Sequence, residues 1–375
     1  MTHPLLRRSL THRLFLLATG LLAATVRGQE IPSNPPAIPA DTSKLPHVVL
    51  MSMGGTIASR GTPRLNITHY GGKGTPPVTP EDWLHDLPEL ATIARVTTDD
   101  ERAVPPAGQE TYEQARKVAR RLNELAADPT VDGIVVTHGT NIMAEVAYFM
   151  DLVVKTEKPI VFVGSQRPWS ALSGDGPLNL YNAVRVAATP EAARRGVLQC
   201  MNQYINTARD VTKTSAYRVQ TFKGLDVGAI GFADPDKVVF YRLPTRKHTF
   251  KSEFAGMDFP TLPPVEVVYS YQEAPGYMID ALVDHGVKGI VVDGTGAGVP
   301  TSSQNEAINR AQAKGIIIVI TTRTRGGRVQ ETPARTASKI VNGDNLPPEK
   351  ARILLQLALT RTSDWAEVKR YFDTY

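Results

Sequence analysis

A chain of 375 residues with 42% hydrophobic and 21% charged side chains has the composition of a globular protein long enough for two ordinary domains, which excludes fibrous and disordered classes. Its formal charge of +5 is concentrated at the start: Arg7, Arg8, Arg13 and Arg27 lie within residues 1–28, which hold no acid, and without them the charge falls to +1. No remaining run of Lys and Arg is interleaved with aromatics, so nucleic acid is excluded as a partner. The single cysteine, Cys200, excludes an internal disulfide framework and CxxC or zinc-knuckle sites.

In chain order, Arg7, Arg8 and Arg13 precede the apolar run LFLLATGLLAATV. That run is too short for a comfortable membrane span and is built like a secretory signal. Residues 1–28 are therefore expected to be removed, leaving Gln29 first, no membrane attachment and a periplasmic location, with secretion beyond the periplasm left open. The Arg7–Arg8 pair also admits a twin-arginine route. Residues 29–45 are proline-rich and read as a tether.

From His47 the chain alternates. VVLMSM, DGIVVT, PIVFVGS and GVLQCMN read as strands, and TYEQARKVARRLNELAA, EVAYFMDLVV and PLNLYNAVRVAAT as helices. The stretch beginning YRLPTRKHTFKSEF has neither period and reads as a linker. Beyond it VEVVYSY, GIVVDGTGAG and IIIVITT are strands, separated by helices in MIDALVDHG and SQNEAINRAQAKG, and KARILLQLALTR is the last predicted helix. The class is α/β, with a larger amino-terminal domain of mostly parallel sheet over 46–240, a linker over 241–264, and a smaller α/β domain over 265–375.

Two strand ends draw attention. Gly54, Gly55 and Thr56 follow VVLMSM, and Gly139, Thr140 and Asn141 follow GIVVT. Small polar residues at the carboxyl ends of such strands sit where open α/β sheets place their crevices. Phosphate binding is one reading of the first, although the P-loop lysine and the GxGxxG spacing are missing. For the second, Thr140 or Asn141 could simply cap the helix that follows. The other reading makes Thr56 a nucleophile, which requires a neighbour that helps its hydroxyl lose a proton. Tyr70 and Lys213 are the candidate helpers, Lys213 as a partly neutral amine held close to Thr140. Residues alone thus reach a hydrolase with a hydroxyl nucleophile.

MGGTIAS, VVTHGTNIMAEVAYFMDL, VGSQRPWSALSGDGPLNLYNAV, RDVTKTSA and KARILLQLALTR, in this order, resemble the bacterial type II L-asparaginases of the asparaginase/glutaminase family, from about residue 46 to the end. The resemblance implies a two-domain asparaginase-like fold. It implies hydrolysis of the side-chain amide of L-asparagine, with some action on L-glutamine, through an acyl-enzyme. It also implies homotetramers with sites between paired subunits, and no metal or organic cofactor. Carried over, Thr56 attacks, Tyr70 on a mobile loop polarises it, and Thr140 with Lys213 forms a proton-relay pair; which threonine attacks first stays open.

The substrate-binding residues implied are Gly108, Gln109 and Asn141, and here the sequence departs from the family. Asn141 stands where the family has an aspartate that pairs with the substrate's α-ammonium. Gly108 stands for a serine, and Ala297 for an asparagine supplied by the neighbouring subunit; Glu331 is a candidate source of compensating charge. Asp175, His138, Asn179 and Asn182 read as residues that shape loops and helices rather than as catalysts. An amidase of the same fold for amides without a free α-amine is the nearest alternative, and a low-turnover periplasmic amino-acid-binding protein is the alternative from another class.

Overall fold

The computed structural model describes residues 41–72, 74–100, 111–258 and 261–375. The larger domain opens with β1 (His47–Ser52), α1 (Pro80–Asp86), β2 (Arg95–Asp100), α2 (Tyr112–Ala127), β3 (Gly133–Thr137), α3 (Met143–Val153), β4 (Ile160–Val163), α4 (Gly176–Ala187) and β5 (Val197–Met201). Five short strands follow: β6 (Tyr204–Thr207), β7 (Val211–Lys213), β8 (Phe222–Gly224), β9 (Gly231–Ala233) and β10 (Val238–Phe240). The smaller domain is β11 (Val265–Tyr269), α5 (Tyr277–Asp284), β12 (Gly289–Gly294), α6 (Ser302–Ala313), β13 (Ile317–Thr322), α7 (Pro333–Ala337), β14 (Val341–Asn342), α8 (Pro348–Leu359) and α9 (Trp365–Thr374).

Eight strands form one sheet in the order β10-β9-β6-β5-β4-β3-β1-β2. From β5 to β2 the pairs are parallel, and β6, β9 and β10 extend the sheet antiparallel. Every residue of β1, β3, β4 and β5 is buried. Continuous apolar runs are what parallel strands covered on both faces require. The smaller sheet, β11-β12-β13-β14, is wholly parallel. Among the described residues β7 and β8 pair only with each other, as a ribbon outside both sheets.

Helix starts are locally specified. Thr79, Thr111 and Thr301 each accept from the backbone three residues on, while Asp82, Gln114 and Gln304 reach back to the cap's own N–H. α8 joins the domains: Ile353, Leu354, Leu355 and Leu357 enter the same apolar core as Leu152 of α3 and Val291 of β12.

Several elements were not foreseen, α1, α7 and β14 among them. KARILLQLALTR is not the last helix, because α9 follows it. Its apolar side chains Val368, Tyr371, Phe372 and Tyr375 recur at helical spacing and are buried, but charged residues between them dilute the signal. β2, read as RVTTDD, is too polar to announce itself and exists because β1 supplies a partner in register from His47↔Arg95 onward. The short antiparallel strands β6 to β10 likewise fall below the length at which alternation can be recognised.

Candidate active site

The two glycine-containing loops meet. β1 and β3 are adjacent and parallel with Ser52 opposite Thr137, so the loops that leave them emerge side by side at the same edge. The Met53 N–H continues the ladder by donating to Thr137 O at 3.0 Å. Gly54 and Gly55 have φ of 75° and 89°, conformations that glycine adopts at little cost. At Gly55 there is a second constraint: a Cβ there would lie 2.4 Å from the Gly139 Cα and N. Only a residue without a side chain allows this approach.

Beyond that crossing each loop presents a threonine. Thr56 begins a 3-10 turn, Thr56–Ala58, and its Oγ1 lies 2.8 Å from Tyr70 Oη. Tyr70 belongs to the loop that runs from Gly61 to Gly72. That loop is tied down where the Gly61 N–H donates to Ser170 Oγ at 2.8 Å and the Gly71 N–H to Arg60 O at 2.9 Å. Thr140 is buried, and its Oγ1 accepts from Lys213 Nζ at 2.8 Å. α3 begins only after Ile142, with no side-chain cap, so neither Thr140 nor Asn141 caps it. Partial burial pulls the Lys213 ammonium below the ordinary lysine range.

The residues read as structural are occupied structurally. Asp175 accepts from the Gln166 and Arg167 backbone N–H groups, both at 2.9 Å, holding the loop after β4. Asn179 donates to Gly164 O and accepts from the Asn202 N–H. His138 Nδ1 contacts Gly139 O at 2.7 Å, within the turn itself. Asn182 accepts from Arg185 one turn along α4.

Among the residues expected to recognise substrate, Asn141 is exposed. Gly108 and Gln109 lie outside the described residues. Ala297 is exposed on the smaller domain, where its carbonyl accepts from Arg335 Nη2 at 3.1 Å. Glu331 is already committed, accepting from Thr336 Oγ1 at 2.9 Å and pairing with Lys369 at 3.2 Å. Within the GTGAG loop at the end of β12, Thr295 and Val299 exchange backbone hydrogen bonds of 3.0 and 2.8 Å. No amide of that pair is left for a phosphate.

A hydroxyl beside a phenol and a second hydroxyl beside an amine, on adjoining strand ends of an α/β protein, is equipment suited to acyl transfer. The chain belongs to the asparaginase family. The family model described as asparaginase, N-terminal, matches residues 47–246, and the glutaminase/asparaginase C-terminal domain matches 264–372. L-asparaginase 2 of Bacillus subtilis is 38% identical over 340 residues, covering 90% of this chain and 88% of that one. A probable periplasmic L-asparaginase of Haemophilus influenzae is 38% identical, covering 90% and 95%. The crystal structure of a probable cytoplasmic L-asparaginase from Campylobacter jejuni superposes with a TM-score of 0.83 at 34% identity, covering 88% of this chain and all of that one. The fold is the two-domain asparaginase fold.

Proposed function

We propose that the protein is an L-asparaginase that hydrolyses the side-chain amide of L-asparagine to L-aspartate and ammonia, with slower action on L-glutamine. The observation that carries this reading is the pair of hydrogen-bonded hydroxyls, Thr56 with Tyr70 and Thr140 with Lys213, on adjoining loops. Thr56 Oγ1 attacks the amide carbonyl carbon while Tyr70 Oη holds the hydroxyl. The C–N bond breaks, an ester to Thr56 forms, and the proton lost by the hydroxyl leaves on ammonia. Lys213, acting through Thr140, handles that proton as a base whose ammonium burial has weakened. Water then adds to the ester carbon, releasing the acid and restoring the Thr56 hydroxyl. Gly108, Gln109 and Asn141 bind the rest of the substrate.

The wider setting belongs to the same proposal. The Arg7–Arg8 leader and the periplasmic relative support export to the periplasm after removal of residues 1–28. Tyr269 at the end of β11, Tyr271 in the loop after it, and Tyr277 and Met278 at the start of α5, all exposed, offer an apolar edge for self-association into a homotetramer. Cell fractionation and light scattering of the purified protein test these two points.

The function itself is tested by ammonia release from L-asparagine, L-glutamine and an amide without an α-amine, offered at equal concentration. Preference for L-asparagine supports the proposal. Because the exposed Asn141 carries no charge, the amine-free amide is the specific competitor, and exclusive turnover of it would transfer the enzyme to that substrate class. No release from any of the three would leave a binding protein.

A further inference from the structure

Lys350 is placed against two physical preferences at once. Its side chain is fully buried, and it sits in the first turn of α8, the end of a helix that disfavours a cation. Its ammonium has three donors, and all three are used: Nζ donates to Ala208 O at 2.7 Å, Arg209 O at 2.8 Å and Val211 O at 2.5 Å. Three carbonyl oxygens from four consecutive residues are thus turned toward one point. Without a cation between them their dipoles would repel, so Lys350 supports this bend beside its own turn, in which Thr207 Oγ1 donates to Asp210 Oδ2 at 2.6 Å. Nζ also lies 5.7 Å from the ring centroid of Tyr148 on α3, the helix that follows Thr140.

The bent segment leads directly into β7. Val211, the third acceptor, is the first residue of that strand, and Lys213, two residues on, is its last. β7 belongs to neither main sheet, so the sheets do not fix the position of Lys213. It is anchored by the β8 ribbon, by burial of Val211 in the main core and by the Lys350 ammonium.

We infer that Lys350 is a positioning residue: by gathering the carbonyls of Ala208, Arg209 and Val211 it sets where Lys213 Nζ stands against Thr140 Oγ1. This makes α8, an element of the smaller domain, a support of the hydroxyl–amine pair in the larger one. The inference rests on the reading of Lys213 and Thr140 as a working pair. Charged and titratable groups facing Lys350 are Asp151 and Tyr148 from α3, Arg209 and Asp210 from the bend, and Glu349 from its own helix. Burial pulls its ammonium down to about 8, against the opposing pull of Asp210 and Glu349.

The test is a double-mutant cycle on the full chain with Lys350→Met and Lys213→Met, reading kcat and KM for L-asparagine. A misplacement of about 1 Å costs on the order of 10²-fold in rate. Lys350→Met is therefore expected to lower kcat by about that factor with KM little changed, and to lower it no further once Lys213 is methionine. Equal losses in both backgrounds would mean a role in the fold alone and would overturn the inference. Should Lys350→Met not fold, Lys350→Arg takes its place in the cycle; its planar guanidinium keeps the charge but does not present three donors to one point.

A second readout needs no turnover. Competitive acylation of Lys213 by trace amine reagent, followed against pH, should show its midpoint rising toward the ordinary lysine value in either Lys350 variant. An unchanged midpoint overturns the inference. Full activity of Lys213→Met, by contrast, would remove the working pair while leaving the acylation result to decide whether Lys350 holds Lys213.

Discussion

Lys213 donates to Thr140 Oγ1 across 2.8 Å from a strand that belongs to neither sheet. Only the neutral amine can take up a proton, and burial has moved its titration below the ordinary lysine value of about 10.4. kcat/KM should therefore rise with pH with a midpoint below that value. Lys213→Arg, which stays charged throughout, should lose about 10²- to 10⁴-fold in kcat and show no such rise. Initial rates across pH decide this; a profile unchanged in shape would remove Lys213 from proton handling.

Thr56 and Tyr70 share one hydrogen bond but have different jobs in the proposed chemistry. Thr56→Ala removes the attacking atom and is expected to lower kcat by about 10⁴-fold or more. Tyr70→Phe removes only the phenol and should cost about 10²-fold. Both side chains are only partly buried, so melting temperatures should stay within about 2 °C of the parent. Full activity of Thr56→Ala would end its assignment as nucleophile.

Asn141 is a neutral residue where an α-ammonium is expected to lie. Asn141→Asp should lower KM for L-asparagine by up to about tenfold, the equivalent of roughly 1.4 kcal/mol for gaining a charge-assisted partner at an exposed position. KM for an amine-free amide should not fall. Steady-state kinetics on both substrates would show it, and a higher KM for L-asparagine would count against the account of substrate recognition.

Asp151 accepts from the Val197 N–H at 2.7 Å deep in the protein, and desolvation pushes its carboxyl up to about 7. The native state therefore holds this proton more tightly than the unfolded chain, where the group titrates near about 3.9. The stability it contributes is complete below that value and is lost as pH rises through about 7. Asp151→Asn keeps an acceptor for Val197 and should be more stable than the parent at pH 8, by roughly 2 kcal/mol, while differing little at pH 4. Denaturant midpoints at the two values measure the difference. Glu145, raised to about 7 by desolvation with Glu349 adding to the effect, should leave the variant a residual slope of the same sign.

What was legible in the sequence divides along physical lines. β1, β3, β4, β5, β12 and β13 were readable because fully buried parallel strands read as near-continuous apolar runs. The pairings of Thr56 with Tyr70 and Thr140 with Lys213 rested on ordered motifs that resemble a known family. Residue types alone could only nominate them, since contacts such as Lys213 with Thr140 span 73 positions. Lys350 lay inside a quoted motif, yet nothing in the sequence separates it from a surface lysine of an amphipathic helix. Its role emerges only once the three carbonyls of a distant loop are seen to converge. β2 and α9 were missed because neighbouring elements, rather than a strong local pattern, decide them.

The contact of Gly55 with Gly139 has a practical meaning for anyone seeking new amide preferences. Because a single methyl group at Gly55 would collide with the opposing backbone, the two threonine loops behave as one riveted joint, and diversity introduced there would mostly yield dead variants. Asn141, only two residues past the rivet and open to solvent, can be exchanged without disturbing it. A library built on this scaffold should spend its variation there and leave the joint alone.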